Sequence, residues 1–577
     1  MSACSPDTAS LPAAMISWFR DALFGLAVMT AVVNLLALTG SFYMLQVYDR
    51  VLGAHSSATL LALTVLMLGL YGLYGLLDVM RSRVLVRLGG RIDRRLRGRV
   101  FDIVLRAPLQ GRPSQGPQAV RDLDQVRAVA TGPGLVAVFD APWLPVFLTL
   151  IFVLHPWLGL LALAGALVMV VAALLAERRA RGPAEALAAS ANQRLVLLDL
   201  ARRNAEVVRA LGLAPALGRR WADASESHLA DNVRAIEAPG SLAAFSRVFR
   251  MALQSLMLGL GAYVVLRGEA TGGIMIAASI MTGRALAPIE TVIAQWRNLV
   301  GARQSWRRLA SALSPTNVAP QTYLPAPRAM LDVEALVVVP PGAEKPTLHG
   351  LSFSLKAGDG LGVIGPSASG KSTLARALVG VFAARHGAVR LDGAALDQYR
   401  PENLGPHLGY LPQDVEIFDG TVAENIARLE EQPDSAAVIA AACAAGCHDM
   451  IVALPQGYDT RVGPAGAILS AGQRQRLALA RALYRDPFLV VLDEPNANLD
   501  AAGEAALSEA IAAARRSGAI VIVVAHRPSA IANLNMLLVL NEGRQRAFGP
   551  RDKVLAQTTQ SASAPALAVV GGSNRNG

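Results

Sequence analysis

Residues 361–373 read L-G-V-I-G-P-S-A-S-G-K-S-T. Gly365, Gly370, Lys371 and Ser372 satisfy G-x-x-x-x-G-K-[ST], and Pro366, Ser367, Ser369 and Thr373 complete the run. The chemistry of this spacing is phosphate binding. Glycines let backbone N–H groups wrap the phosphates, and a helix N-terminus adds a positive field. Lys371 reaches the terminal phosphates, and Ser372 offers a hydroxyl to Mg²⁺. Downstream, F-L-V-V-L (residues 488–492) runs into Asp493 and Glu494. Two carboxylates at a strand end suit two tasks. Asp493 holds Mg²⁺, and Glu494 acts as general base or orients the attacking water. An acidic turn is the plainer alternative, but the upstream phosphate loop weighs against it.

These residues need a scaffold. A strand over 361–364 and a helix over 373–379 flank the loop. From 331 to 557, short β-branched runs alternate with helical runs, which predicts an α/β nucleotide-binding domain. Residues 313–330, with Pro315, Pro320, Pro325 and Pro327, have the composition of a linker. The Ser/Ala/Gly-rich tail, 558–577, is expected to be disordered. A different composition rules the first half. Apolar stretches at 22–43, 59–79, 136–153, 158–175, 249–266 and 274–292 each approach the roughly 20 residues that cross a bilayer. They predict an all-α, six-span transmembrane domain over 21–312, after a short cytoplasmic segment, 1–20.

The chain's 53% hydrophobic and 17% charged residues agree with partial immersion in lipid. A net charge of +11 fits either nucleic acid or a membrane protein with basic cytoplasmic loops. Position decides. Arg83, Arg87, Arg91, Arg94, Arg95, Arg97 and Arg99 follow span two, and Arg202, Arg203, Arg219 and Arg220 follow span four. Both connections are long and helical in period, and the positive-inside rule puts them in the cytoplasm with both termini. The first is expected to bend at P-S-Q-G-P (113–117) and the second near 204–212. No nucleic-acid partner is needed. Three cysteines, Cys4, Cys443 and Cys447, make no disulfide framework. Cys443, Cys447 and His448 lie in an Ala-rich helical stretch, where small buried residues explain the pattern better than a metal site does.

Residues 469–476, L-S-A-G-Q-R-Q-R, resemble the signature motif of ABC ATPases, normally L-S-G-G-Q. The resemblance covers about 331–556. It implies that Gln413, in Y-L-P-Q-D, is the Q-loop residue sensing Mg²⁺ and the γ-phosphate. Asn498, Leu499 and Asp500 match the D-loop, and His526, in V-V-A-H-R, the switch histidine. It also implies head-to-tail pairing, with Ser470, Ala471, Gly472 and Gln473 of one copy capping the nucleotide held by Lys371 of another. One chain carries one set of motifs, so two chains are required, most simply a homodimer. Three positions depart from the pattern. Ala471 replaces a glycine. Val339 falls where an aromatic usually stacks on adenine. Pro464 stands where exporters carry an acidic residue in a loop that touches the coupling segments.

In the membrane half, F-Y-M-L-Q-V-Y-D-R-V-L (42–52), F-D-A-P-W-L-P-V-F (139–147), N-A-E-V-V-R-A-L (204–211) and R-A-L-A-P-I-E (284–290) resemble the PrtD-like permease/ATPases of bacterial type I secretion. The resemblance implies a multi-pass exporter of the bacterial inner membrane, with a cytoplasmic ATPase domain. Its partners would be membrane lipid, a periplasmic adaptor of the membrane-fusion type and a TolC-type outer-membrane channel. Its cargo would be unfolded polypeptide of the RTX protease, lipase or surface-layer type. Only about twenty residues precede the first span, so a C-terminal, uncleaved signal is expected on the cargo. A lipid or drug exporter shares the same ATPase motifs and is the alternative. Arg284 and Glu290 in span six and Asp140 at the start of span three are costly in lipid, and are candidates to line a polar cavity.

Overall fold

The structure, a computed structural model, describes residues 11–112, 115–313, 324–463, 466, 468–525 and 527–562, with backbone alone at 11–23, 238, 239, 528, 529 and 558–562. Pro113 of the expected bend, most of the 313–330 linker and most of the tail lie outside these residues. The chain divides into two compact units, residues 1–314 and 315–577.

The first unit is helical. Among the described residues, six helices are long and apolar enough to cross a membrane: Phe24–Ala54, Ser57–Leu109, Pro133–Leu154, Pro156–Arg203, Ala214–Leu266 and Gly272–Leu313. In lipid, a helix satisfies its own backbone, so apolar side chains can face outward at no cost. Leu61, Val65, Leu66 and Leu68 on the second span are exposed accordingly. Inward, Ile151, Leu158, Met257 and Met281 are fully buried in one cluster. The spans run on past the apolar stretches as single helices of up to 53 residues. Sharp breaks fall at three expected places. His155 caps the fourth span by accepting the Trp157 N–H at 3.3 Å, with Pro156 at the first helical position. A short helix, Ala205–Ala210, turns the chain between spans four and five. Leu266 ends the fifth span six residues before Gly272 opens the sixth. The third span is broken by a 3₁₀ turn, Ala141–Trp143, so Asp140 lies within it, at the end of its first segment, Pro133–Asp140.

Among its described residues, the second unit holds two sheets. β1 (Met330–Val338), β2 (Leu348–Lys356), β4 (His386–Leu391) and β5 (Ala394–Ala395) pair antiparallel in the order β2-β1-β4-β5. The other sheet has the order β10-β9-β3-β8-β7-β6. It comprises β3 (Gly360–Ile364), β6 (Leu408–Leu411), β7 (Leu489–Asp493), β8 (Ile520–Val524), β9 (Met536–Asn541) and β10 (Arg544–Pro550). All are parallel except the edge strand β10. Strands buried on both faces need continuous apolar runs. β7 and β8 supply them: Val490, Leu492, Val521 and Val523 pack into one core, and Leu489, Val491, Ile520 and Ile522 into the other.

Candidate nucleotide site

In an open parallel sheet, ligands bind beyond the carboxyl ends of the strands. Here the loop after β3 is the 365–370 turn, β7 ends in Asp493 with Glu494 directly after it, and Gln413 follows β6. β8, between β3 and β7, points to the same edge and leads to His526, which lies outside the described residues, as does Pro464. Parallel register therefore gathers residues more than 120 positions apart.

The loop closes on itself. Gly370 caps the helix Lys371–Leu378 with φ of 96°, and a Cβ there would lie 2.7 Å from the Leu348 side chain, so glycine is required. Lys371 is 6% exposed, and its ammonium donates to the carbonyls of Gly365 at 2.9 Å and Pro366 at 2.8 Å. Burial pulls its pKa down, and the carboxylates of Glu494 and Asp493 oppose that pull. Pro366 and Ser367 are exposed, Ser369 is buried, and Thr373 is half-buried. Val339 is half-buried, directly after β1, in the connection whose far end, Thr347 and Leu348, packs on Gly370.

The carboxylates differ in setting. Asp493 is 1% exposed, and burial pushes its pKa up. Its Oδ1 accepts from the Ser372 hydroxyl at 3.2 Å, while Oδ2 is buried with no hydrogen-bond partner among the described residues. A buried, half-satisfied carboxylate beside a hydroxyl is suited to a hard cation. Glu494 is half-buried and accepts from the Gln413 amide at 3.3 Å. Its backbone takes φ of 52°, rare for a residue with a Cβ, and its N–H donates to the Val524 carbonyl at 3.0 Å. That turn lifts its side chain out of the strand's alternation.

Ser470 caps the helix Ala471–Leu483, accepting the Gln473 N–H at 3.2 Å, and Gln473 Oε1 accepts the Ser470 N–H at 2.8 Å. This reciprocal box turns the signature's polar groups to the helix start. Ser470 and Ala471 are exposed, and no hydrogen bond among the described residues ties Ser470 or Gln473 to the 365–372 loop. Gly472 packs on the D-loop, since a Cβ there would lie 2.8 Å from the Asn498 carbonyl. Asp500 caps the helix Ala501–Arg516 and accepts from Arg476 at 2.9 Å, and Leu499 is half-buried beside it.

Sequence reasoning passed over Gln475. It is 4% exposed, donates to the carbonyls of Glu494 (3.4 Å) and Pro495, and accepts the Asn498 N–H at 3.1 Å. One amide thus fixes the backbone on both sides of the turn after β7. A glutamine on the apolar face of the signature helix was the available signal. Gln475→Leu is expected to lower kcat for ATP roughly 10-fold with little change in KM, because two carbonyls and an N–H lose their partner. A kinetic titration checks it, and an equal rise in KM would contradict the assignment.

The cysteine segment differs from expectation. Its helix stops at Ala444, Gly446 turns with φ of 61°, and Cys447 begins a new helix, His448–Val452. Burial pushes the Cys447 thiol up to about 12, and His448 bonds the Tyr458 hydroxyl at 2.8 Å.

Comparison with known proteins fits this geometry. Residues 348–497 match the ABC transporter family and residues 23–284 the ABC transporter transmembrane region. The type I secretion system ATP-binding protein PrsD of Rhizobium meliloti (strain 1021) is 51% identical, over 95% of this chain and 94% of its own. The chain belongs to the ABC transporters of type I secretion. The leukotoxin translocation ATP-binding protein LktB of Mannheimia glucosida is 28% identical over 93% of this chain and 77% of its own. A bacterial Atm1-family ABC exporter solved with ATP bound superposes with a TM-score of 0.79 at 25% identity, covering 95% of this chain and 99% of its own. This type I secretion transporter is therefore an ATP-binding ATPase and a multi-pass membrane protein, with six apolar helices joined to an α/β nucleotide-binding unit.

In the transporter's membrane unit, two of the three costly charges, Asp140 and Glu290, are paired. Arg81, 6% exposed, meets Asp140 at 2.9 Å and Asp78 at 2.7 Å, and Asn34 donates to Asp140 at 2.9 Å. Glu290 meets Arg250 at 2.5 Å and Arg247 at 3.8 Å. Asp140→Ala leaves the buried Arg81 guanidinium with Asp78 alone and is expected to cost about 1.5–3 kcal/mol of stability, the scale of a hydrogen bond to a charged group. Adding Arg81→Leu should recover much of that loss. Thermal unfolding of both variants in detergent checks this, and strictly additive losses would contradict the pairing.

Proposed function

We propose that this chain works as a homodimer in the bacterial inner membrane and uses ATP to export unfolded polypeptide carrying an uncleaved C-terminal signal. Identity to a type I secretion protein over almost the whole of both chains carries this reading. The fold alone chooses no cargo, since one exporter fold serves many. The role LktB is named for, leukotoxin translocation, supports a polypeptide over a lipid or drug. A periplasmic adaptor and a TolC-type channel complete the route.

The site residues take these roles. Gly365, Ser367, Ser369, Gly370, Lys371 and Thr373 hold the ATP phosphates, and Val339 gives the base apolar contact. Ser372, Asp493 and Gln413 would hold Mg²⁺, for which Asp493 Oδ2, without a hydrogen-bond partner among the described residues, is a ready ligand. When bound, Mg²⁺ neutralises charge on the β- and γ-phosphates. Glu494 accepts a proton from the attacking water, Gln413 holds its carboxylate, and His526 contacts the γ-phosphate. Ser470, Gly472 and Gln473 of the second copy close the site, with Ala471 at the helix start and Asn498, Leu499 and Asp500 beside it. The exposed signature serine, unbonded to its own phosphate loop, is what favours closure from another copy.

Comparing culture medium from cells with and without the chain tests the cargo. Loss of particular large polypeptides, restored when the chain is returned, is expected. An unchanged set of secreted proteins together with altered membrane lipid would overturn the reading.

A further inference from the structure

Two of the cavities beside the sixth span, Gly272–Leu313, share residues of one of its faces. One, about 510 Å³, is lined by Arg250, Gln254, Arg284, Glu290 and Thr291 among others. The other, about 250 Å³, is lined by Asn34, Arg81, Asp140, Arg284 and Thr291 among others. Arg284 and Thr291 belong to both, so one helix face connects them. Each cavity's lining has its own balanced pair besides Arg284: Glu290 with Arg250, and Asp140 with Arg81. Across both linings, three arginines stand against two carboxylates, and Arg284 is left over. It is exposed and has no ion pair or hydrogen bond among the described residues.

A membrane-spanning helix tolerates an uncompensated cation only where it meets water or a counter-ion. The same turn carries a second unmet group. Pro288 has no N–H, so the Arg284 carbonyl lacks its helical donor four residues on. Arg284 thus presents a forked cation and a free acceptor at one position. A polypeptide offers both complements, a side-chain carboxylate and a backbone N–H. A phosphatidylglycerol headgroup offers the anion but no N–H.

We propose that Arg284 is a carboxylate-reading site for the exported polypeptide, engaging acidic side chains as the chain enters the cavity beside the sixth span. This rests on the polypeptide-export reading above. The neighbouring arginines are already paired, so Arg284 alone supplies the preference. It sets which segments of a cargo are held, while Glu290 and Asp140 keep the adjoining cations from competing.

The test uses the full-length chain in phosphatidylcholine nanodiscs and two fluorescein-labelled 20-residue peptides. One carries Asp and Glu, and its twin carries Asn and Gln at the same positions. Wild type is expected to bind the acidic peptide roughly 10-fold tighter by anisotropy, the scale of one charge-assisted hydrogen bond. Arg284→Gln should bring the acidic peptide to the level of its twin, and Arg284→Lys should keep most of the preference. Equal binding of both peptides by wild type overturns the proposal without any variant. So does a full preference in Arg284→Gln, which would assign the cation to another contact, such as a second copy of the chain. So does an Arg284-dependent affinity for phosphatidylglycerol nanodiscs that leaves the peptide preference intact. If wild type binds neither peptide, the polypeptide-export reading fails first and takes this site with it.

Discussion

Glu494→Gln is expected to bind ATP as wild type does and to hydrolyse it at least about 100-fold more slowly, the usual contribution of a positioned general base. The substitution keeps size and shape. It keeps the backbone N–H bond to Val524 and the two carbonyl contacts from Gln475, which involve main chain only. The loss is the carboxylate itself, and with it the acceptor for a proton from water. Secretion should cease, because nucleotide is held but not turned over. Filter binding of ATP beside a steady-state phosphate assay separates the two quantities. Turnover near the wild-type rate would remove Glu494 from its role.

Lys371→Ala is expected to fail one step earlier. The ammonium is nearly buried, bonds two loop carbonyls, and sits in the field of Asp493 and Glu494. Its removal leaves those carbonyls unpartnered and the carboxylates unbalanced where phosphate must bind. One charge-assisted hydrogen bond is worth about 1.5–3 kcal/mol, so ATP affinity should fall at least roughly 10-fold. Turnover should fall further, since the same cation meets charge that grows in the transition state. Titration with a fluorescent ATP analogue checks the first effect. Wild-type affinity in this variant would mean that backbone N–H groups alone hold the phosphates. Together the two variants divide binding from chemistry.

Much of the nucleotide site was legible because its chemistry is local. A phosphate loop, a strand ending in two carboxylates and a helix-capping serine each occupy a few consecutive residues, and parallel strands brought them to one edge. The six apolar stretches were legible for the same reason: bilayer thickness sets their length. What escaped depends on distance along the chain. Asp140 could be seen as a costly charge, but its partners Arg81 and Asn34 lie 59 and 106 positions away. Glu290 finds Arg250 40 positions back, across two spans. Gln475 read as one more polar residue in a basic string, since nothing local reveals that its amide reaches the turn after β7. The cysteine segment misled because alanines mask a helix end that one glycine enforces.

The left-handed backbone at Glu494 has a consequence for how this protein can change over time. Such a conformation in a residue with a Cβ costs of order 1 kcal/mol or more and persists where surrounding contacts impose it. Glycine would relieve that strain and delete the carboxylate proposed as the general base in a single step. A screen that rewards only thermal endurance of the ATPase unit should therefore enrich inactive chains with Gly at 494. Selection for secretion must hold the position against a standing thermodynamic incentive to abandon it.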